Sequence, residues 1–422
     1  PRSTLFPYTT LFRSIAAGRP GCITHVGLGT FIDPVQQGGR LNACTPPGLV
    51  ERVELGGRTW LWYKAFPLHV GLIRATAADP GSGLVMDDEA IIGEVLAIAQ
   101  AVRNSGGIVI TQVARLLDAP AAPQRVCVPG ICVDHVVVAE PHEHEQTFAE
   151  PFNPCYCAPL PMVPDGEHAT PDAWAEPMPL DVRRIIASRA CDELADGAVA
   201  NLGIGMPEGV ARIAAERGLL HRCTLTVESG PIGGMPAGGL SFGASAYPHA
   251  VVDQPAQFDF YDGGGLDFAA LGAVQVDREG NVNVSQFANR FVGVGGFVNI
   301  AQNARRLVFC GTLTTAGLRV AVEDGQLRIR QEGSAMKFVE RVDQVSFSAR
   351  TAREKQQQVL YVTERAVFRL GADGIELIEV APGIDVATQV LGVMQCRPIV
   401  RAWRPMPASA FAAPGAGTGN RI

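Results

Sequence analysis

The stretch Thr226-Val227-Glu228-Ser229-Gly230-Pro231-Ile232-Gly233-Gly234-Met235-Pro236-Ala237-Gly238-Gly239 decides the reading of this chain. Leu225 to Val227 is a short apolar run of the kind that forms a buried strand. It ends in one carboxylate, Glu228, and a series of Gly and Pro residues follows before Leu240. Glycine allows backbone conformations closed to other residues and lets a ligand come close to the chain. In an open α/β sheet the carboxyl ends of the strands face the usual ligand crevice. At such a place Glu228 reads as a nucleophile facing a bound substrate. From these residues alone the alternative is a solvated Glu beside an ordinary turn.

Working outward, 422 residues is the length of two domains or two large lobes. Apolar residues make up 47%, enough for sizeable cores. The net charge of −7, with no basic block, argues against a nucleic-acid partner. No apolar run approaches the length of a membrane span. Ten Cys are scattered without a disulfide-like pattern, which points to a reducing compartment and hence to a cytoplasmic protein.

The chain repeats itself at an offset of about 200 residues. Cys22-Ile23-Thr24-His25-Val26-Gly27 lies against Cys223-Thr224-Leu225-Thr226-Val227-Glu228, and Gly38-Gly39 against Gly238-Gly239. Asp79 after Leu72-Ile73-Arg74 matches Asp277 after Ala273-Val274-Gln275-Val276. Ala99-Gln100, Arg103 and Ile108-Val109-Ile110 match Ala301-Gln302, Arg305 and Leu307-Val308-Phe309. Four correspondences in order predict two related α/β lobes, with the carboxylate in only one of them, since Gly27 stands where the second lobe has Glu228.

The second lobe opens with Asp181 to Asp196, read as a helix capped by Asp181 and ended by Gly197. Ala198 to Asn201 is a strand, and Leu202 to Glu208 a tight loop into a helix, with Pro207 in its first turn. The first lobe has almost nothing in the matching place. Pro1 to Ser14, PRSTLFPYTTLFRS, has neither an initiator Met nor the order of a signal peptide, and resembles a translated sequencing adapter. It is set aside from fold reasoning, and the front of lobe one is expected to be missing. The expected organisation is a segment 1–14, a first lobe 15–157, a Pro-rich linker 158–180, a second lobe 181–402 and a disordered tail 403–422.

His142, His144, Cys155 and Cys157 do not have zinc spacing and read as incidental, so no metal is expected. Phe260 to Asp267 carries three Gly and could be a binding turn or a tight connection. Phe291 to Asn299 is a Gly loop before a helix read as Ile300 to Arg306, and backbone N–H groups there could hold an anion. Neither loop is GxxxxGK[ST], and Gly203-x-Gly205 does not complete GxGxxG, so nucleoside triphosphates and NAD are not favoured.

TVESGPIGGMPAGGLSFGAS, DQPAQFDFYDGGGLDFAALGAVQVDREGNVNVS and VGVGGFVNIAQNARRLVFCGT together resemble the family I coenzyme A transferases, as does HVGLGTFIDPVQQGGRLN in the first lobe. The resemblance covers about Ile15 to Pro398 and is to single-chain acetate, propionate and 3-oxoacid CoA-transferases. It implies two related open α/β lobes with the active site between them. It makes Glu228 the nucleophile. The family's GxGxP loop corresponds to Gly203, Ile204, Gly205 and Met206 before Pro207, and its GxGG loop to Gly293, Gly295 and Gly296, with Asn299 beyond. Those loops contact the acyl-CoA and stabilise oxyanions in the family. The implied chemistry is ping-pong transfer through a glutamyl-CoA thioester, with acyl-CoA and a short-chain carboxylate as partners, no cofactor besides CoA as substrate, and a homo-oligomeric assembly. A non-catalytic CoA-binding fragment and an acyl-CoA hydrolase are the other readings.

Overall fold

The computed structural model describes residues 8–42, 44–161, 177–287 and 290–414. The first lobe begins with helix α1 (Tyr8–Ala16) and a three-stranded antiparallel sheet, β1 (Gly21–Thr24), β2 (Val50–Leu55) and β3 (Arg58–Lys64), in the order β1-β3-β2. Then come β4 (Val70–Ala78), β5 (Leu84–Val85), α2 (Val95–Asn104), β6 (Ile108–Leu116) and β7 (His135–Val138). They form a sheet in the order β5-β4-β6-β7, in which β4, β6 and β7 run parallel. Alternate residues of β4 and β6 face α2, so Ile73, Ala75, Val109 and Val113 pack with Val95, Ala99 and Val102 in one core. The opposite face carries the exposed side chains of Val70, Leu72, Ile108 and Val137. Leu11 of α1 is buried, so part of the segment set aside on sequence grounds packs into the molecule. Residues 1–7 lie outside the described residues.

The second lobe comprises α3 (Val182–Cys191), β8 (Val199–Leu202), α4 (Gly209–Glu216), β9 (Thr224–Thr226), β10 (Pro231–Ile232), β11 (Ala250–Val251), α5 (Gln254–Asp262), β12 (Phe268–Gly272), α6 (Phe297–Asn303), β13 (Arg306–Cys310), α7 (Ala349–Glu354), β14 (Gln358–Val362), β15 (Ala366–Gly371), β16 (Gly374–Val380) and β17 (Ile399–Pro405). These strands form one ten-stranded sheet, β11-β10-β9-β8-β12-β13-β14-β15-β16-β17. Strands β9, β8, β12, β13 and β14 are parallel. Phe268 to Leu271 and Leu307 to Cys310 are buried on both faces, as central parallel strands must be. From β8 the chain crosses by α4 to β9 on one side, and from β12 by α6 to β13 on the other. The strand order therefore reverses between β8 and β12, which is where open α/β sheets bind ligands.

The repeat is visible as β4–α2–β6–β7 in the first lobe and β12–α6–β13–β14 in the second. Its first correspondence fails. Strand β1 pairs antiparallel with β3, with Ile23 opposite Trp62, whereas β9 runs parallel to β8. Identity of a few residues did not carry strand partners with it.

Four local expectations change. Asp181 does cap α3, accepting from the amides of Arg183 and Arg184, but the helix ends at Cys191 and residues 192–198 are turns. Phe260, Tyr261 and Asp262 are the last turn of α5, and Gly263 to Gly265 simply close it, because Phe258 and Tyr261 share a buried helix face and Asp253 caps its start. Helix α6 starts at Phe297, three residues before the expected Ile300. The expected tail instead continues the lobe. Strand β17 extends to Pro405, and Met406, Ala410 and Phe411 are buried against α3 and its neighbours. Residues 415–422 are outside the described residues, as are 162–176 of the linker. Met178, near the linker's end, is buried, and its carbonyl accepts from Arg184 Nη1 at 2.9 Å.

A buried ion pair ties α3 to the far edge of this sheet. Arg189 Nε donates to Glu379 Oε2 at 2.6 Å and Arg189 Nη2 to Oε1 at 3.1 Å. Both residues are almost wholly inaccessible. Each has a second partner, Arg189 with Glu193 and Glu379 with Arg404, both at 2.8 Å, and breaking a buried ion-pair network of this kind typically costs about 3–5 kcal/mol. Glu379→Leu is expected to destabilise the chain by about that amount in urea unfolding; a loss below about 1 kcal/mol would show the pair to be dispensable.

Candidate active site

Glu228 stands two residues beyond the end of β9, in the tight connection to β10. Val227 N–H donates to Pro231 O at 2.9 Å and Gly230 N–H to Val227 O at 3.0 Å. Gly230 has φ +130, and a Cβ there would lie 2.1 Å from the carbonyl oxygen of Val252. Only glycine lets the connection close this tightly, and the closure fixes where the Glu228 backbone sits.

The carboxyl faces a cavity of about 890 Å³ at the carboxyl ends of β8, β9, β12 and β13. Asn201 of β8 donates from Nδ2 to Glu228 Oε2 at 3.1 Å. Asn201 is held beneath it by a buried polar group of which Tyr261 is the centre. The Tyr261 hydroxyl donates to Thr226 Oγ1 at 2.7 Å and accepts from Gln257 Nε2 at 3.0 Å. Thr226 in turn donates to the carbonyl of Ala200 at 3.0 Å. Glu228 keeps some exposure to the cavity, but protein surrounds its carboxyl closely enough for burial to push its pKa up, partly offset by hydrogen bonds from its own amide and from Asn201.

The loop residues expected at the site fall into two groups. Gly293, Gly295 and Gly296 all border the cavity, and Gly296 lies beside the Glu228 side chain. A Cβ on Gly296 would lie 3.2 Å from Glu228 Cγ and 3.0 Å from the Phe258 ring. Gly203, Ile204 and Met206 also border the cavity, whereas Gly205 does not. Two amides of that loop are already spent: Gly203 N–H donates to Ala270 O at 2.8 Å and Gly205 N–H to Glu208 Oε1 at 2.8 Å. Asn299 touches the cavity, but its amide is committed to Asp262, with Nδ2 at 2.8 and 2.9 Å from the two carboxylate oxygens.

Sequence reasoning missed several cavity residues. Asn201 and Phe258 reach Glu228 through strand order and the packing of α5, which no local pattern encodes. Lys337 also borders the cavity. Its ammonium donates to Ala273 O at 2.9 Å, and burial lowers its pKa. Glu94, from the first lobe, lines the same space. It occupies the N-cap position of α2 without accepting any hydrogen bond from that helix, and its Oε2 is buried without a partner. Burial alone pushes this carboxyl up to about 7. Of the His and Cys passed over as metal ligands, His144 Nε2 lies 3.1 Å from Glu89 Oε1, and Cys155 Sγ 2.9 Å from the Tyr247 hydroxyl. Among the described residues no group of His, Cys, Asp and Glu comes together as a metal site, and no helix is long and apolar enough to cross a membrane.

The sequence profile of the family described as Coenzyme A transferase matches residues 9–139. The acetate CoA-transferase YdiF of Escherichia coli O157:H7 is 40% identical over 393 residues, covering 93% of this chain and 72% of that protein. The chain belongs to the coenzyme A transferase family. The caffeate CoA-transferase of Acetobacterium woodii is 42% identical over 399 residues, covering 93% of this chain and 74% of the relative. The crystal structure of the YdiF acyl-CoA transferase from E. coli O157:H7, in a thioester complex with CoA, superimposes with a TM-score of 0.87 at 38% identity, over 96% of this chain and 76% of that one. The architecture of two related α/β lobes is therefore that of the family.

The Glu94 carboxyl gives a test of this cavity that needs no substrate. Its ordinary value is 4.5 and its folded value about 7. Below 4.5 the proton is held in both folded and unfolded chains, and the group carries no penalty. As pH rises toward 7 the unfolded chain ionises first, so stability falls, by up to about 3 kcal/mol, and then levels off. Glu94→Gln lacks this titration. The stability of Glu94→Gln relative to the native chain is expected to rise between about pH 4.5 and 7 and to be flat above. Parallel thermal-denaturation curves for the two across that range would contradict the burial.

Proposed function

We propose that this enzyme moves CoA from a short-chain acyl-CoA to an acceptor carboxylate such as acetate, propionate or a 3-oxoacid, with Glu228 as the covalent residue. The observation that carries the reading is the desolvated Glu228 carboxyl, held by Asn201 and walled by Gly296, at the carboxyl ends of the parallel strands. The CoA thioester complex of YdiF and the acetate and caffeate named for the relatives support the same chemistry.

A Glu228 oxygen attacks the thioester carbonyl carbon, the C–S bond breaks, and CoA leaves as thiolate. A mixed anhydride of Glu228 with the acyl group remains. The thiolate then attacks the Glu228 carbonyl carbon, and the acyl group departs as carboxylate, leaving a glutamyl-CoA thioester. The incoming carboxylate attacks that thioester, and the expelled thiolate takes the new acyl group and frees Glu228. Every step exchanges a carboxylate and a thiolate at an acyl carbon with no change of oxidation state, and both nucleophiles are already anionic, so the scheme calls for no metal or redox cofactor, and CoA is a substrate. Covalent storage implies ping-pong kinetics.

Each attack builds charge on a carbonyl oxygen. A preorganised backbone donor for such an oxyanion is worth about 3–4 kcal/mol. With the amides of Gly203 and Gly205 spent, the donors proposed for the oxyanion are those of the 293–296 loop together with Ile204 and Met206. Asn201 Nδ2 positions the nucleophile through a neutral hydrogen bond, which leaves its reactivity intact.

Incubation with acyl-CoA and mass analysis of the peptide containing Glu228 tests the assignment. A CoA adduct discharged by acetate is expected. Glu228→Ala should form no adduct and transfer nothing while remaining folded; full transfer by that variant would sink the proposal. Free CoA released without acetate-dependent transfer would favour hydrolysis instead.

Gly296→Ala tests the loop. Its φ of −76 admits alanine, so the fold is expected to survive. The added methyl crowds Glu228 Cγ, and displacing a reacting group by about 1 Å can cost about 100-fold in kcat. Unchanged turnover in that variant would mean the loop does not shape the reacting geometry.

A further inference from the structure

The surroundings of the nucleophile are tethered from the other lobe. Beyond β7 the chain brings residues 147–156 against a loop that follows Glu228. That loop, residues 237–244, contains three glycines and a single turn of 3₁₀ helix, Gly239–Ser241. With so little regular structure, its position depends on the bonds that hold it. Phe242 and Gly243 make it part of the cavity wall.

Two tethers meet in this loop. On its inner side Ser229, the residue after the nucleophile, donates from Oγ to the carbonyl of Gly243. Ser229 is buried and borders the same cavity. On its outer side Ser241 donates from Oγ to Glu150 Oε2 at 2.7 Å, and the Thr147 hydroxyl lies 3.0 Å from Ser241 Oγ. Glu150 Oε2 also accepts from the Tyr156 hydroxyl, and Oε1 accepts from Asn153 Nδ2 at 2.9 Å. Tyr156 and then Ser241 hold the Glu150 carboxyl below its ordinary value, so it is an ionised acceptor throughout the neutral range. Hydrogen bonds to an ionised acceptor are about twice as strong as neutral ones. Only Phe242 separates Ser241 from Gly243, so the outer tether and the inner one pull on the same short path.

Building on the transferase reading, we infer that Glu150 is a positioning residue for the transfer, holding Glu228 in place through Ser241 and the bond between Gly243 and Ser229. It touches neither the substrate nor Glu228. What it sets is how the nucleophile lies against the wall where the thioester binds, and displacing a reacting group by about 1 Å can cost about 100-fold. Loss of the tether therefore falls on turnover. The fold is expected to survive it, because the packing of Tyr156 with Ala90 and Ala244, and the bond from Tyr247 N–H to Cys155 O at 2.6 Å, do not involve the Glu150 carboxyl.

The test measures acetate-dependent transfer from acyl-CoA in the full chain, with the fold of each variant confirmed by circular dichroism. Glu150→Ala and Ser241→Ala should each lower kcat at least about tenfold and leave KM for acyl-CoA within about threefold. The double variant should lose no more than about threefold beyond either single change, because both cut one tether. Glu150→Gln keeps an acceptor oxygen and should lose less than Glu150→Ala. If Glu150→Ala does not fold, Ser241→Ala is read in its place. Unchanged kcat in the single variants, losses confined to KM, losses that multiply in the double variant, or equal losses in Glu150→Gln and Glu150→Ala would overturn the inference. CoA loading of Glu228 in the native chain is measured alongside. Loading with an unmoved kcat in the variants removes only the role of Glu150, whereas no loading removes the transferase reading and this role with it.

Discussion

A desolvated carboxyl held by neutral partners is the constraint on which the rest of the site depends. Glu228 is desolvated by the cavity wall, and the donors recorded for it are its own amide and the amide group of Asn201. An arginine in that position would hold the carboxyl well down and blunt its attack on a thioester. A cation does lie in the cavity, but Lys337 is tethered to the carbonyl of Ala273, beyond the end of β12. The sheet makes this separation possible. Strands β9, β8 and β12 are adjacent, so their carboxyl ends bring Glu228, Asn201 and the Ala273 segment to one rim. The buried chain from Gln257 through Tyr261 and Thr226 to the carbonyl of Ala200 then locks that rim from below.

The parts of this arrangement that depend on neighbouring residues in sequence were readable in advance. The apolar run ahead of Glu228, the Asp181 cap, and the glycine loops at residues 203–206 and 293–296 each declare themselves within a few residues. What lay beyond reach was set by partners distant in the chain. Asn201 could be called a strand residue, but nothing local says that its strand runs beside β9. The Cys22 segment resembled Cys223 yet pairs antiparallel with β3, because strand partners follow from the chain between them. Gly263 to Gly265 could be read as a binding turn or a tight connection. It closes a helix, and the i, i+3 spacing of Phe258 and Tyr261, with Asp253 capping, was the signal that pointed there. Glu94 was hidden for another reason. A Glu at the start of a helix reads as a favourable end charge, and only the tertiary contact of Gly93 with the start of α5 shows that it borders the cavity.

Glycine does two different jobs along the site. At Gly230 it permits a backbone path, since the approach to the Val252 carbonyl excludes any side chain. At Gly296 the backbone itself is ordinary, and glycine is favoured because Phe258, Glu228 and Ile300 crowd the space a methyl would take. The first kind fixes where the carboxylate is anchored. The second fixes how near the thioester and its oxyanion can come to the loop. Asn299 shows the limit of reading such loops as ligand-binding throughout, because its amide holds Asp262 and so stiffens the start of α6 against α5.

The two buried carboxyls make the cavity unfavourable when empty. Burial raises both Glu228 and Glu94, and a raised carboxyl draws stability from the folded chain as the solution turns neutral. Among the described residues neither group is relieved by an ion pair. They come from different lobes, so both penalties fall on the same interlobe space rather than on either core. In the transfer proposed above, Glu228 becomes a neutral acyl or thioester form, so the reaction itself removes its share of the penalty. The first lobe, which carries no nucleophile in that proposal, still shapes the cavity, since Ile91 and Glu94 line it together with Glu228.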